Sequence, residues 1–174
     1  SLLEREGLDP GRVDSVEVAV PTINAAMVAR MPQAGDRLGT ISNMAIQIAA
    51  ALGDPATVFE VDGTNFPDAL AAGPAAAITH GAVVFTAGHS PAPATSAYLA
   101  AHPSDVRYAV GGPAAAADPG AGALAGVDRF ATSVLVAQAF FASPSTVGVA
   151  SGMTFPDALS GGPVVALTGG PLIL

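Results

Sequence analysis

GTNFPDALAAGP at 63–74 and GMTFPDALSGGP at 152–163 are two versions of one sentence, with Phe66 and Phe155 standing 89 positions apart. A repeat of this kind changes the unit of folding, so it is read before anything else. Within FPDAL, Pro67 or Pro156 suits the first helical position, where the missing amide hydrogen is not needed and φ is already set. Asp68 and Asp157 follow in the first turn, where a negative charge complements the positive end of the helix dipole. The motif therefore starts a helix, with Phe66 and Phe155 expected to anchor its entry against a sheet. Gly73-Pro74 and Gly162-Pro163 fall about two turns further on, where proline is expected to kink or break the helix.

The repetition extends outward in both directions. GDRLGT at 35–40 answers GVDRFAT at 126–132, with Arg37 and Arg129 92 positions apart, so the first copy holds about one extra helical turn between its two motifs. SVEVAVPTINAA at 15–26 lies on DVRYAVGGPAAA at 105–116 at an offset of 90. A period of about 90 residues divides the chain into three pieces. Residues 1–34 read as the tail of a preceding repeat (its last helix and strand), 35–125 as a complete repeat, and 126–174 as the first half of a further one. The strand expected at 16–20 is a candidate to complete that half-copy, within one chain or between chains. The low-complexity run at 113–126 reads as the joint between copies. The chain starts SLLEREG and stops at PLIL, as if mid-strand, and reads as a processed or trimmed fragment.

Each copy alternates helix and strand. Ile41, Met44, Ala45, Ile48 and Leu52 recur at helical spacing from Thr40 to a stop at Gly53. TVFEV at 57–61 predicts a strand, FPDAL opens the next helix, and His80-Gly81 ends it before a second strand, AVVFT at 82–86. A helix across 96–101 then leads to a third strand, VRYAV at 106–110, and a GGP turn. Strands apolar on both faces, alternating with helices, predict an α/β fold with a small parallel sheet covered on both sides and right-handed crossovers.

Composition excludes several functions. The 174 residues are 51% hydrophobic, enough for a globular core, and the longest apolar stretches are alanine-rich and broken by Gly-Pro, so no membrane insertion is expected. A net charge of −8 with no lysine and six arginines disfavours nucleic acid as a partner, and any polyanion must be held locally. With no cysteine there are neither disulfides nor thiolate metal sites. The three histidines, His80, His89 and His102, have no counterparts in the second copy, lack metal-ligand spacing, and read as surface residues. No G-x-G-x-x-G and no nucleophile beside a base is visible, so no cofactor, metal or catalytic residue is assigned.

DR-x-x-T, a helix, a strand, G-x-x-FPDAL, Gly-Pro, a second strand and V-GG-P, in that order, resemble the cell wall-binding repeat type 2 family over nearly the whole chain. The resemblance implies Toprim-like, Rossmann-like α/β modules in a pseudo-threefold arrangement. It also implies an exported, extracellular protein of Gram-positive bacteria that attaches non-covalently to an anionic, teichoic acid-like secondary polymer of the cell wall. It carries the family's arginine onto Arg37 and Arg129, and the Pro-Ile-Leu-Leu strand onto Pro171, Leu172, Ile173 and Leu174. In the first copy that strand reads Ala82, Val83, Val84, Phe85, a departure from the pattern. Together with Asp68 and Asp157 at the helix starts, Arg37, Arg129, Leu172, Ile173 and Leu174 are the candidate polymer-binding residues. Arginine can grip a phosphate or carboxylate bidentately beside free helix amides. The plainer reading pairs Asp with Arg to steady a helix capped by Thr40 or Thr132, with the strand residues in the core. Without tryptophan and with two tyrosines, sugar stacking contributes little, and repeated weak modules would supply retention by avidity. Other copies of the module, as a pseudo-trimer or homo-oligomer, are the expected second partner. Two alternatives stand beside non-catalytic anchoring: surface-layer assembly or protein–protein interaction through the alanine-rich helix faces, and a magnesium-dependent Toprim-like enzyme using Glu60 and Asp62 at a strand end.

Overall fold

The computed structural model describes residues 37–174. Helix α1, Arg37–Ala51, ends where Gly53 takes a φ of +86° and Asp54 follows at +51°. Its first turn precedes the apolar series that begins at Ile41, since periodicity marks only the residues that face a neighbour. Strand β1, Thr57–Asp62, is buried along nearly its whole length. Helix α2, Pro67–Ile78, starts at Pro67 as FPDAL dictates and is stopped by His80 at φ +51° and Gly81. Strand β2, Ala82–Ala87, turns back into a two-residue β3, Ser90–Pro91. Helix α3, Pro93–Ala101, leads to β4, Val106–Val110, then α4, Gly112–Ala117, and β5, Gly122–Leu124. The second copy supplies α5, Arg129–Phe140, β6, Gly148–Val149, α6, Pro156–Leu167, and β7, Leu172–Ile173.

The main sheet has the order β3-β2-β1-β4-β5, parallel except for β3, and β6 pairs with β7 in a small parallel sheet of its own. This is the mixed α/β, mostly parallel architecture expected. Alternation along β1 decides what each face meets. Phe59 and Val61 point toward α2 and α5, in a core with Ala72, Ala75, Val110 and Val136. Val58 points the other way, with Val84, toward Ala49 of α1 and Tyr98 of α3. Phe59 is fully buried and stacks on Tyr108 at 5.5 Å, while Phe140 from the second copy meets it edge-on at 5.1 Å. The two copies therefore share one core.

The copies also share local geometry. The β1–β2 pairs Phe59↔Val83 and Glu60↔Val84 recur 89 positions on as Gly148↔Leu172 and Val149↔Ile173. Phe66 and Phe155 precede their helices at φ, ψ of −79°, −27° and −93°, −22°.

Three expectations are corrected. The 113–126 run is not a bare joint: α4 forms within it and β5 adds a strand beside β4. Alanine and glycine carry no periodic contrast, so their low complexity hid two elements. The Pro-rich stretch HSPAP at 89–93, between β2 and the expected helix across 96–101, contributes β3, and α3 begins at Pro93 rather than Ser96, using proline as its first helical residue. Finally, α2 and α6 run through Pro74 and Pro163 without a break. Each proline forfeits only its own bond to the carbonyl four residues back, and both rings line a cavity of about 340 Å³ where the small faces of α2 and α6 meet. The expected tail at 1–34, its strand at 16–20 and the closure of the last half-copy by it lie outside the described residues.

Candidate functional site

Helix α5 is capped by Asp128, whose side chain accepts a 2.8 Å hydrogen bond from the Ala131 amide. Thr132, the expected cap, is buried inside the helix and its hydroxyl accepts from the Gly126 amide at 3.0 Å. Thr40 likewise lies within α1 rather than at its start. With Asp128 engaged on the backbone, Arg129 is free to reach away from its own helix. Its Nη1 donates to the Gly152 carbonyl at 2.7 Å, and its guanidinium carbon sits 5.9 Å from the centre of the Phe66 ring, within cation–π range. Phe66 meets Phe155 edge-on at 5.7 Å, so the two aromatic rings pair with each other across the copies instead of anchoring separately on a sheet.

Gly152 makes this approach possible. A Cβ there would stand 2.8 Å from the Phe130 ring, 3.1 Å from Leu174 Cβ and 3.3 Å from Arg129 Cδ. The Leu174 amide donates to Ser133 Oγ at 3.2 Å, which fixes the strand end beside the arginine. Gly63, at the same place in the first copy, is crowded in the same way by Leu38 and Phe85.

From the first copy comes Asp68. Burial pushes its carboxyl above the usual range, Arg129 pulls it back, and Asp62 adds to the rise. Asp62 is itself held in place, its Oδ1 accepting from the Thr64 amide at 2.8 Å and the Gly88 amide at 3.1 Å. Gly111 lies against the Asp68 carboxylate with φ +90° and ψ 156°, a conformation essentially reserved for glycine. Gly111→Ala is therefore expected to lose about 1–3 kcal/mol from backbone strain. It should also displace Asp68, whose Cγ and Oδ2 occupy the place a Cβ would take. Denaturant unfolding combined with a carboxyl-carbon NMR titration of Asp68 checks both effects.

The candidate residues thus separate. Arg129 and Leu174 meet at Gly152 at the junction of the two copies, Arg129 also lies over Phe66, and Asp68 of the first copy acts on Arg129 electrostatically. Arg37 and Asp157, their counterparts in the opposite copies, are both exposed. Leu172 is 2% exposed and packs with Ala158 and Val165, so it belongs to the core, while Ile173 is half-buried on the same short strand. Glu60 and Asp62, the pair weighed for magnesium, separate along β1: Asp62 is bound to its turn, and Glu60 is buried beside Arg107 and Asp118. Among the described residues no group of three or more His, Asp or Glu side chains could hold a metal ion. His102 is not a plain surface residue, since it packs on Tyr98 at 4.3 Å and lies 3.9 Å from Asp54. The aromatic pairing and the roles of Gly111 and Gly152 were missed. The repeated glycine three residues before each FPDAL phenylalanine was the signal that could have found Gly152.

Comparison with known proteins agrees with this architecture. Residues 34–119 and 123–174 match the family described as cell wall binding domain 2 (CWB2). Cwp8 from Clostridium difficile superposes with a TM-score of 0.67 at 21% identity, covering 76% of this chain and 25% of that one. Cwp6 from Clostridium difficile gives 0.66 at 20% identity, over 80% of this chain and 24% of that one. At these identities the likeness concerns the fold, and the chain spans about a quarter of the length of either structure. No curated protein sequence matches it. No helix among the described residues is long and apolar enough to cross a membrane. With matches to both copies that together span most of its length, the chain belongs to the cell wall binding domain 2 family.

Proposed function

We propose that this chain is a non-catalytic anchoring module that holds its protein to the cell wall, outside the cell, by binding an anionic secondary polymer non-covalently. The observation that carries this reading is Arg129, set at the junction of two repeats with one donor fixed on the Gly152 carbonyl and its face on Phe66. A guanidinium has five donors, so further N–H groups are available to a phosphate or carboxylate. Positioning by Gly152 and Phe66 reduces the entropy that binding such a group would cost. Asp68 beside it has its carboxyl raised by burial, an effect that Arg129 partly offsets. Leu174 and Ile173 would contribute the apolar edge of the site, and Leu172 its support. Arg37 and Asp157 would be the two open halves of equivalent sites. In this reading 35–125 is one repeat, 126–174 begins the next and 1–34 ends the one before.

Other copies of the module are the second proposed partner. Met44 and Ile48 of α1 are 37% and 51% exposed, whereas their counterparts on α5, Val136 and Phe140, pack into the first copy's core. The same helix face is thus covered where a preceding repeat lies beside it, which supports a pseudo-trimer or homo-oligomer.

Arg129→Ala should weaken retention on isolated Gram-positive walls about ten- to a hundredfold, the range for a hydrogen-bonded charge. Retention should fall with added salt and disappear after acid extraction of the secondary polymers. Undiminished retention by Arg129→Ala, with self-association that ignores the polymer, would instead favour the surface-layer assembly reading.

A further inference from the structure

Glu60 lies in the middle of the central strand and is completely buried, yet neither of its carboxyl oxygens meets a hydrogen-bond donor among the described residues. The nearest cation is committed elsewhere: Arg107 Nη1 stands 2.7 Å from Asp118 Oδ2. Asp118 lies near enough to raise the Glu60 carboxyl electrostatically. Glu60, Ser96, Arg107 and Asp118 line a cavity of about 340 Å³ together with apolar residues that include Leu99 and Pro103. The volume falls in the range of small-molecule pockets, ~300–1,000 Å³.

The fold does not require a carboxyl here. At the same register position the second copy carries Val149. A buried polar group without a partner costs stability, so its presence needs a use. The charges indicate which one. Once Glu60 gives up its proton, two carboxylates face one guanidinium, and the single negative charge left over in the cavity is what a bound cation would balance. A divalent metal fits poorly, because only two carboxyls are present, a guanidinium sits beside them, and the space far exceeds an ion. A monovalent organic cation fits both the charge and the volume.

We propose that the pocket between α3 and the end of α4 binds a ligand through a primary ammonium group, placed between Glu60 and Asp118 with the ligand's body against Leu99 and Pro103. An amino sugar or an aminoacyl substituent of a wall polymer and a free small amine share this chemistry. The site stands apart from Arg129 and does not depend on the anchoring reading.

Proton linkage gives the test a signature beyond occupancy. The groups that act on Glu60 are Arg107 from β4 and Asp118 from the end of α4, while α3 presents only uncharged side chains to the cavity. Burial, reinforced by Asp118 and only partly opposed by Arg107, raises the Glu60 carboxyl to about 8. At neutral pH it therefore holds a proton, which an ammonium ligand must displace.

Titration of the whole chain with glucosamine, followed by amide NMR and by calorimetry in buffers of different ionisation heat, reads both. Glucosamine should shift the Ser96, Arg107 and Asp118 signals and, between about pH 5 and 6.5 where its own amine stays charged, release close to one proton per ligand and bind about tenfold tighter per pH unit. N-acetylglucosamine, with the same ring and no charge, should leave those signals in place, and propylammonium should reproduce the proton release. Glucosamine linked in polymer and free glucosamine compared at equal concentration then separate the two sources. Glu60→Gln should abolish binding, while Arg129→Ala should leave it intact even as wall retention falls. The proposal is overturned by equal shifts from N-acetylglucosamine, by binding that survives in both Glu60→Gln and Glu60→Leu, or by the absence of shifts in the wild-type chain at every pH. The wild-type pH series stands whether or not a variant folds.

Discussion

Phe59→Ala is expected to lower the unfolding free energy by about 3–5 kcal/mol, the usual cost of truncating a buried phenylalanine. The ring is wholly buried and touches Tyr108 from its own sheet and Phe140 from the second copy, so its removal opens a cavity on both sides at once. For a unit of this size each kcal/mol shifts the midpoint by roughly 2–4 °C, so a fall of roughly 6–20 °C is expected in a thermal melt. Because Phe140 loses its partner, α5 should exchange its amides faster than the loss of global stability alone would require. A loss below about 1 kcal/mol, within the range of an ordinary surface substitution, would show that the aromatic cluster does not join the two copies.

The second large effect has the opposite sign. Glu60→Leu is expected to stabilise the chain at neutral and alkaline pH. Glu60 has a folded-state carboxyl raised from 4.5 to about 8, so between those values the folded chain holds a proton that the unfolded chain has released. Stability is therefore unpenalised below the unfolded value and declines as pH rises toward the folded one, by on the order of 4 kcal/mol across the window. Leucine removes the titration and adds apolar burial. Urea unfolding at pH 5 and pH 8 should show a wild-type chain much weaker at pH 8 and a variant nearly level. A wild-type chain equally stable at both would mean that water reaches the carboxyl and relieves it. The gain in stability would come with loss of ammonium binding, as expected where a strained group is kept for function.

FPDAL was legible because each of its residues has a local reason to start a helix, and those reasons do not depend on the rest of the chain. The parallel sheet followed from strands apolar on both faces. Legibility stopped where the partner lies far away in sequence. Nothing local distinguishes Arg129, held on Gly152 and Phe66, from Arg37, which is exposed: their flanking residues are nearly the same, and only the neighbouring repeat tells them apart. Capping was misread for a related reason, since Asp128 and Thr132 are both good caps and spacing alone does not choose between them. Glu60 escaped notice as a buried group because alternation assigns it a face of β1 but not what covers that face. Its cover, α3 and the end of α4, comes partly from the alanine-rich run whose structure the sequence conceals.

The meeting of Arg129 with Asp68 takes place between repeats and not within one. Counting then follows the junctions: n modules in an open row contain n minus one such meetings, and the same n closed into a ring contain n. Ring closure thus adds a complete Arg-Asp meeting without adding a residue, and a short array gains proportionally more from closing than a long one. Deleting an internal module would remove only one position, because its two neighbours can meet each other instead.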